Sequence, residues 1–462
     1  MFNRRKFLKL SAVAAITPTI GAVASPIDTT NNTVLANGTT IKEPQKDIPI
    51  VREAEVIVCG GGPAGIAAAI SAGRKGAKTI LIEAYGCLGG VWTTGLLCNI
   101  IDYQNKGGIM QEIVKRLQET DAQYSAKCYD PELMKVLLDE MCREAGVEIR
   151  LHTRITAAYR NKKNKIEHIV TESFSGREAW KGKIFIDATG NGDLSAYAGC
   201  KFDIGSPENG KTQPASLMAI IGGLNEEEMV KNGYMMNKGL TSEDAKKKLY
   251  KTIKETNLEP SFTKPTFFGI RPGLVALMTN HEYEVSALDA SQISRATINA
   301  RKEIYSIVDG LRKKGGIWSQ MRVLTTGAQI GIREARRIHG LYRLTSEDLI
   351  NGARFDDAVC RVTFTVDIHT LTKAEGGAYH NGKVKVKPYD IPLRSLIAKD
   401  VNGLMMVGRC ISGDFYAHGS YRVTGNAVTM GENAGIVAAA AAKTDRLPQD
   451  VPWNEFGIQK NQ

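Results

Sequence analysis

The stretch that most constrains this chain is a short apolar run that breaks into glycine and then into small residues. Ala54 to Val58 reads Ala-Glu-Val-Ile-Val, and Cys59 leads into Gly60-Gly61-Gly62-Pro63-Ala64-Gly65. β-Branched residues at that density predict a strand. In the pattern G-x-G-x-x-G, Gly60 allows the tight turn, Gly62 lets backbone approach a pyrophosphate, and Gly65 lets helix pack closely on strand. The small residues from Ile66 to Gly73 predict the helix whose N-terminus, with Pro63 and Ala64, faces the phosphates. Lys78 to Ile82 predicts a second strand ending at Glu83, near the ~20-residue offset where an acid accepts hydrogen bonds from a ribose 2′-hydroxyl. That carboxylate repels a 2′-phosphate and so disfavours NADP. Strand, turn, helix and acid together predict a dinucleotide-binding α/β domain.

Three later segments repeat the theme of strand running into glycine. Glu83 is followed by Ala84-Tyr85-Gly86-Cys87-Leu88-Gly89-Gly90, and Ile184 to Ile186 runs into Asp187-Ala188-Thr189-Gly190. Asn402 to Val407 runs into Gly408-Arg409-Cys410-Ile411-Ser412-Gly413-Asp414, ahead of a small-residue helix beginning near Gly425-Asn426. These segments resemble the FAD-dependent oxidoreductase family related to fumarate-reductase-type and glutathione-reductase-type flavoproteins. The likeness extends through Gln213 to Met218, Arg333 to Arg337, Asp367 to His369 and Ile391 to Leu396, which is nearly all of the chain after its first fifty residues. It implies FAD as cofactor, with Gly61 in the phosphate turn, Gly89 and Gly90 along the cofactor, and the backbone at Ile155 meeting the adenine. Asp187, Ala188, Thr189 and Gly190 would lie beside the ADP half, Gly408 and Asp414 near the ribityl chain, and Asn426 at a helix end aimed at the isoalloxazine. A helix N-terminus there stabilises the negative charge of a reduced flavin.

The expected architecture is α/β: a discontinuous Rossmann-like FAD-binding domain, a parallel sheet with flanking helices, from 50–205 and 386–445. An inserted α+β substrate domain covers 206–385, and 446–462 form a C-terminal tail. Ser291 to Lys314 reads as a helix with a core stripe. There is no second G-x-G-x-x-G after Gly65, hence no separate NAD(P)H domain.

The N-terminus reads as an address. Asn3-Arg4-Arg5-Lys6-Phe7-Leu8-Lys9, an apolar stretch from Leu10 to Val23 and the small residues to Ala24 resemble a twin-arginine signal over 1–24. That predicts export by the twin-arginine translocase to a periplasmic or other extracytoplasmic location, a route that carries folded, cofactor-loaded proteins. The apolar run is shorter than the ~20 residues of a spanning helix and is broken at Thr17-Pro18-Thr19, so no stable transmembrane anchor is expected. Residues 25–49 read as a flexible tether. The charge of +11 includes four of these N-terminal positives, and the remainder forms no stripe interleaved with aromatics, which excludes a nucleic-acid role. None of the eight cysteines falls in a C-x-x-C pair, which argues against iron–sulfur, zinc and dithiol centres, so no metal is expected.

Hydride chemistry needs a group that moves a proton and, for acidic substrates, a fixed cation. His418, Tyr421 and Arg422, just before the flavin-facing helix, are the first candidates, and His369, after a strand predicted from Thr363 to Val366, is the second. Arg333, Arg336 and Arg337 are third, with a helix face paired to Glu334 and Asp348 as the alternative. His281 and the remaining histidines take structural readings. The function expected is an exported FAD-dependent oxidoreductase acting on a small polar metabolite, a carbohydrate derivative or hydroxy acid. Its electron partner would be a quinone, a redox protein or oxygen. The rivals are a flavin-using lyase or hydrolase without net redox change and a non-catalytic nucleotide-binding protein.

Overall fold

The computed structural model describes residues 40, 41, 43–125 and 127–452. The twin-arginine segment, most of the tether and the end of the tail lie outside them. The chain divides into two units, Met1–Asp47 and Ile48–Gln462. In the first, the described residues form no regular element, and Lys46 pairs with Glu43 at 3.7 Å.

In the second, β1 (Ile50–Cys59) buries Val56 to Cys59 completely. It meets α1 (Pro63–Arg74), where proline in the first turn sacrifices no helical hydrogen bond. Then come β2 (Thr79–Ile82), α2 (Gly108–Glu119), α3 (Pro131–Glu144) and β3 (Glu148–Arg150), with Asp130 capping α3 through the Glu132 N–H. The antiparallel run β4 (Arg154–Arg160), β5 (Ile166–Ser173) and β6 (Gly176–Asp187) follows, then the short α4 (Asp193–Tyr197). One sheet holds them in the order β3-β2-β1-β6-β5-β4. Its parallel half sets Val58 beside Leu81 on one side and Ile186 on the other. Apolar side chains on both faces are what a parallel sheet covered by helices requires.

After β7 (Phe202–Asp203) the chain builds a second core. β8 (Ala219–Gly222), α5 (Glu226–Lys231), α6 (Glu243–Lys254), β9 (Thr266–Arg271), β10 (Leu274–Met278), α7 (Ala290–Lys314) and β11 (Arg322–Thr326) contribute an antiparallel sheet in the order β11-β8-β10-β9. The α7 stripe Ala296, Ala300, Ile304, Ile307 and Leu311 is buried beside Ile221, Phe267 and Trp318.

The chain returns through β12 (Arg337–Ile338), paired with β7, then α8 (Ser346–Asn351), β13 (Ala358–Val362), β14 (Ile368–His369), β15 (Tyr379–His380) and β16 (Tyr389–Pro392). β17 (Leu404–Met406) rejoins the first sheet parallel to β6, with Met405 opposite Ile186. α9 (Phe415–Tyr421) and α10 (Thr424–Thr444) close the fold. α10 lies on α1 because two of its residues lack side chains: a Cβ on Gly431 would sit 2.0 Å from the Ala64 oxygen, and one on Gly435 2.1 Å from that of Ala68. This is α/β architecture, a Rossmann-like dinucleotide-binding sheet carrying an inserted α+β region.

Two expectations are corrected. Arg333 to Arg336 is irregular and runs into β12 rather than forming a helix, and Asp348 bonds Tyr342 and Thr345 rather than these arginines. The strand expected at Thr363 to Val366 lies earlier, at β13, and the chain is irregular from Thr363 to Asp367. Among the described residues no helix is long and apolar enough to cross a membrane.

Candidate active site

The first half of the site is made of backbone. Gly60 has φ +107°, and a Cβ there would lie 2.4 Å from the Ala188 oxygen, so only glycine fits. A Cβ on Gly65 would sit 1.8 Å from the Gly60 oxygen. Gly62 is different, since a Cβ there meets nothing within 4 Å, leaving open space over the start of α1. Glu83, buried, accepts from the Gly61 N–H at 2.5 Å and the Tyr85 N–H at 2.8 Å. Burial raises its pKa against the pull of those amides. The Gly89 N–H donates to the Gly61 oxygen at 2.8 Å, and a Cβ on Gly90 would lie 2.9 Å from the Gly62 Cα, so this glycine pair crosses the turn. Ile155 is buried at the start of β4, two residues after Thr153, whose N–H donates to the Glu83 oxygen.

Asp187 serves its own loop. Its carboxylate accepts from the backbone and hydroxyl of both Thr189 and Ser195, at 2.7 to 3.1 Å, and so fixes the turn Ala188-Thr189-Gly190 against Gly60. Gly408 has φ +80° and approaches Ala64, while the neighbouring Arg409 donates to Asn191. Asp414 caps α9 through the Ala417 N–H and also accepts from the Ser346 N–H, each at 2.7 Å, so both of its oxygens are engaged. Asn426 is fully buried in the first turn of α10 with its Nδ2 unpartnered, as is the Thr424 hydroxyl.

The second half is made of side chains drawn from distant parts of the chain. Arg422, two residues before α10, donates to the Gln213 side chain at 3.0 Å and to the Asp367 backbone oxygen at 2.6 Å. Arg333 donates to the Pro214 oxygen at 2.6 Å and the Ser216 hydroxyl at 2.9 Å. Burial and then the Arg422 charge bring the Arg333 pKa down to about 9. Burial would raise the Asp367 pKa, but His369, Arg422 and Arg333 together hold it below the usual range. His369 Nδ1 lies 2.9 Å from His281 Nε2, and its Nε2 faces Asp367 at 3.6 Å. Its pKa falls to about 3 through burial and then the Arg333 charge. His418 is fully buried with both ring nitrogens unpartnered, and burial followed by Arg422, Arg337 and Arg409 keeps it neutral. Tyr421 donates its hydroxyl proton to the Ile411 oxygen at 3.1 Å. Arg337 pairs with buried Glu334, and Arg336 pairs with Asp193 at 2.8 Å.

Arg422, His369 and, more loosely, Arg333 thus meet around Asp367 and Gln213, whereas Tyr421 is occupied elsewhere. His281, Gln213 and Asp367 were missed as site residues. One signal was available for Asp367: in an extended segment it shares a face with His369 two residues on.

Open space above Gly62 and unpartnered buried polar atoms at Thr424, Asn426, His418 and Gln213 suit a bound group that is charged at one end and rich in hydrogen-bonding atoms at the other. The residues present fit a flavin dinucleotide, and fold and site together define a dinucleotide-binding α/β flavoprotein. The chain belongs to the FAD dependent oxidoreductase family, whose family model matches residues 55–460. It is 28% identical over 156 residues to the thiamine thiazole synthase of Methanococcus maripaludis strain C5, covering 32% of this chain and 59% of that protein. The Methanococcus vannielii enzyme of the same name is also 28% identical, over 30% of this chain and 57% of its own length. The chain therefore spans under two thirds of the curated relatives it matches. Among solved structures, a geranylgeranyl bacteriochlorophyll reductase-like protein from Thermoplasma acidophilum has 13% identity and a TM-score of 0.46, over 89% of this chain and 82% of that one. The flavin-dependent brominase Bmp2 has 12% identity and a TM-score of 0.47, over 87% and 81%.

Proposed function

We propose that this flavoenzyme is exported and moves a hydride between FAD and a small polar metabolite that bears a carboxylate, a hydroxy acid or an acidic carbohydrate derivative. The observation that carries the substrate class is that Arg333 and Arg422 share the one carboxylate of Asp367, which Arg422 faces at 3.9 Å, while the other acid acting on Arg422, Glu334, is paired with Arg337. A cation left in excess inside a protein is stabilised by an incoming anion, and guanidinium suits a carboxylate in a fixed geometry. FAD, when bound, supplies the two-electron hydride acceptor or donor. His418, neutral and with free ring nitrogens, is suited to take or return the substrate's proton. Arg422 would orient the carboxylate. Residues 206–385 supply Arg333 and His369 and take the role of substrate domain. The twin-arginine segment supports export, and a quinone, redox protein or oxygen would then exchange electrons.

Anaerobic mixing of the FAD-loaded protein with lactate, tartrate and gluconate, and with glucose and glycerol as neutral controls, tests this reading. Lasting bleaching of the flavin by one or more of the acids, and not by the neutral compounds, is the expected result. Bleaching by the neutral compounds alone would overturn the assignment of an anionic substrate.

A further inference from the structure

Behind the arginine pair the structure holds a feature that substrate binding does not require: two histidines in direct contact, with a tyrosine at one end and a carboxylate at the other. The Tyr283 hydroxyl lies 3.2 Å from His281 Nδ1, His281 Nε2 lies 2.9 Å from His369 Nδ1, and His369 Nε2 faces Asp367 Oδ2 at 3.6 Å. Phe262 packs against both rings, its centroid 4.4 Å from that of His281 and 5.9 Å from that of His369. Both imidazoles are buried, whereas Tyr283 is partly exposed.

We infer that Tyr283, His281 and His369 form a proton relay of fixed polarity that delivers protons from the partly exposed tyrosine inward to Asp367. The polarity follows from the acceptors. Asp367 as a carboxylate can only accept, so His369 turns its protonated Nε2 toward it. A neutral His369 then offers Nδ1 as an acceptor, which makes His281 Nε2 the donor at 2.9 Å. A neutral His281 in turn accepts at Nδ1, and Tyr283 donates. Neutrality of both rings agrees with the direction of their pKa values, lowered by burial and by the Arg333 charge. The charged and titratable groups that face the two rings are Arg333, Arg422, Asp367, Tyr283 and Tyr379.

Delivery conserves protons. The Tyr283 proton passes to His281 Nδ1, the His281 Nε2 proton to His369 Nδ1, and the His369 Nε2 proton to Asp367. Tyr283 is then reprotonated by water. Each delivery leaves both rings as Nδ1–H tautomers, which must exchange before the next proton moves inward, and outward transport from the resting state requires the same exchange. The relay does not set the direction in which the proposed hydride transfer runs, and neither it nor its polarity rests on that chemistry. His281 and Tyr283 are positioning residues, since neither touches Asp367.

Nitrogen NMR of the full chain, loaded with FAD and labelled with 15N in its histidines, tests the relay without any substrate. Two imidazoles, assigned by their loss in His281→Gln and His369→Gln, are expected to remain neutral Nε2–H tautomers from pH 5 to 9. Tyr283→Phe, which removes one hydroxyl, should shift only the His281 Nδ1 resonance, to the position of an acceptor without a donor. Asp367→Asn can donate as well as accept, and should mix the tautomers of His369. Protonation of either ring near pH 6.5, an Nδ1–H tautomer in the unmodified enzyme, or unaltered spectra in both Tyr283→Phe and Asp367→Asn would each overturn the relay. Failure of every carboxylate to bleach the flavin would overturn the proposed substrate class and leave these spectra as expected.

Discussion

The two halves of the site solve the problem of holding a charged ligand in opposite ways. At the glycine turn the chain removes side chains, so that amides and a helix end are left to face a ligand. At Asp367 it gathers side chains from five separated segments, Gln213, His281, Arg333, the stretch Asp367 to His369, and Arg422. Backbone recognition tolerates no added volume, whereas a side-chain cluster tolerates changes of shape and responds strongly to changes of charge. The two halves should therefore fail differently when mutated.

The largest effect is expected at the glycines. Valine at Gly65 must displace the Gly60 oxygen that its Cβ would meet at 1.8 Å, and with it the junction of β1 and α1. Overpacking of this kind costs about 1–3 kcal/mol or more, and here it also closes the phosphate turn. Gly65→Val should purify without bound flavin and with a lowered melting temperature. A yellow, stable Gly65→Val protein would show that the turn is not where the dinucleotide is held.

The side-chain half should instead lose rate while keeping its cofactor. His418→Ala is expected to lower turnover by ~10²-fold, the usual weight of a general acid or base, with the flavin spectrum intact. Undiminished turnover would remove His418 from the mechanism and leave its unpartnered nitrogens to the cofactor. The neighbouring Tyr421, whose hydroxyl is spent on the Ile411 oxygen, should behave in the opposite way, with Tyr421→Phe costing stability rather than rate.

The same contrast explains which half could be read from sequence. Gly60, Gly62, Gly65 and Glu83 lie within 24 residues, and each has a conformational or hydrogen-bonding reason visible in its neighbours. The α10 helix was legible for the same reason, through its small residues. His281 was not, because its partner His369 lies 88 positions away and nothing around Asn280-His281-Glu282 distinguishes a relay histidine from a packed one. Arg333 to Arg337 misled for a related reason. Charges spaced like a helix face are equally compatible with an irregular segment whose arginines find acids across the fold, as Arg336 does with Asp193. Asp187 shows a third case, in which the motif is found at the right place but its carboxylate is consumed by Thr189 and Ser195.

Acid should expose the side-chain half selectively. His369 has a folded pKa near 3 against 6.5 for the free side chain, and that of His281 is lowered in the same direction. Between those values the unfolded chain binds protons that the folded chain refuses, so stability falls as pH drops from 6.5 toward 3, by up to ~1.4 kcal/mol per pH unit for each histidine. Asp367, held below its usual 3.8, adds to this at the acid end, since its contribution is present above that value and is lost as pH falls through its folded pKa. Melting temperatures followed from pH 7 to 4 should decline less steeply in His281→Gln than in the unmodified protein. Equal slopes would mean that His281 takes up its proton in the fold as readily as in the unfolded chain.

The smallest effect separates binding from folding within the glycine turn itself. Gly62 has φ −73°, which alanine adopts without strain, and its missing Cβ points into open space. Gly62→Ala should therefore leave the melting temperature unchanged, with stability within about 0.5 kcal/mol, as for substitutions that touch nothing. The added methyl group would nonetheless stand where a pyrophosphate approaches the amides, and FAD titration of the apoprotein should show affinity weakened by ~10-fold, which is ~1.4 kcal/mol. Gly65→Val and Gly62→Ala form a matched pair, the first weakening fold and cofactor binding together and the second only cofactor binding. Unchanged FAD affinity in Gly62→Ala would mean that the phosphates approach the turn from elsewhere, and that the open space at Gly62 is solvent rather than cradle.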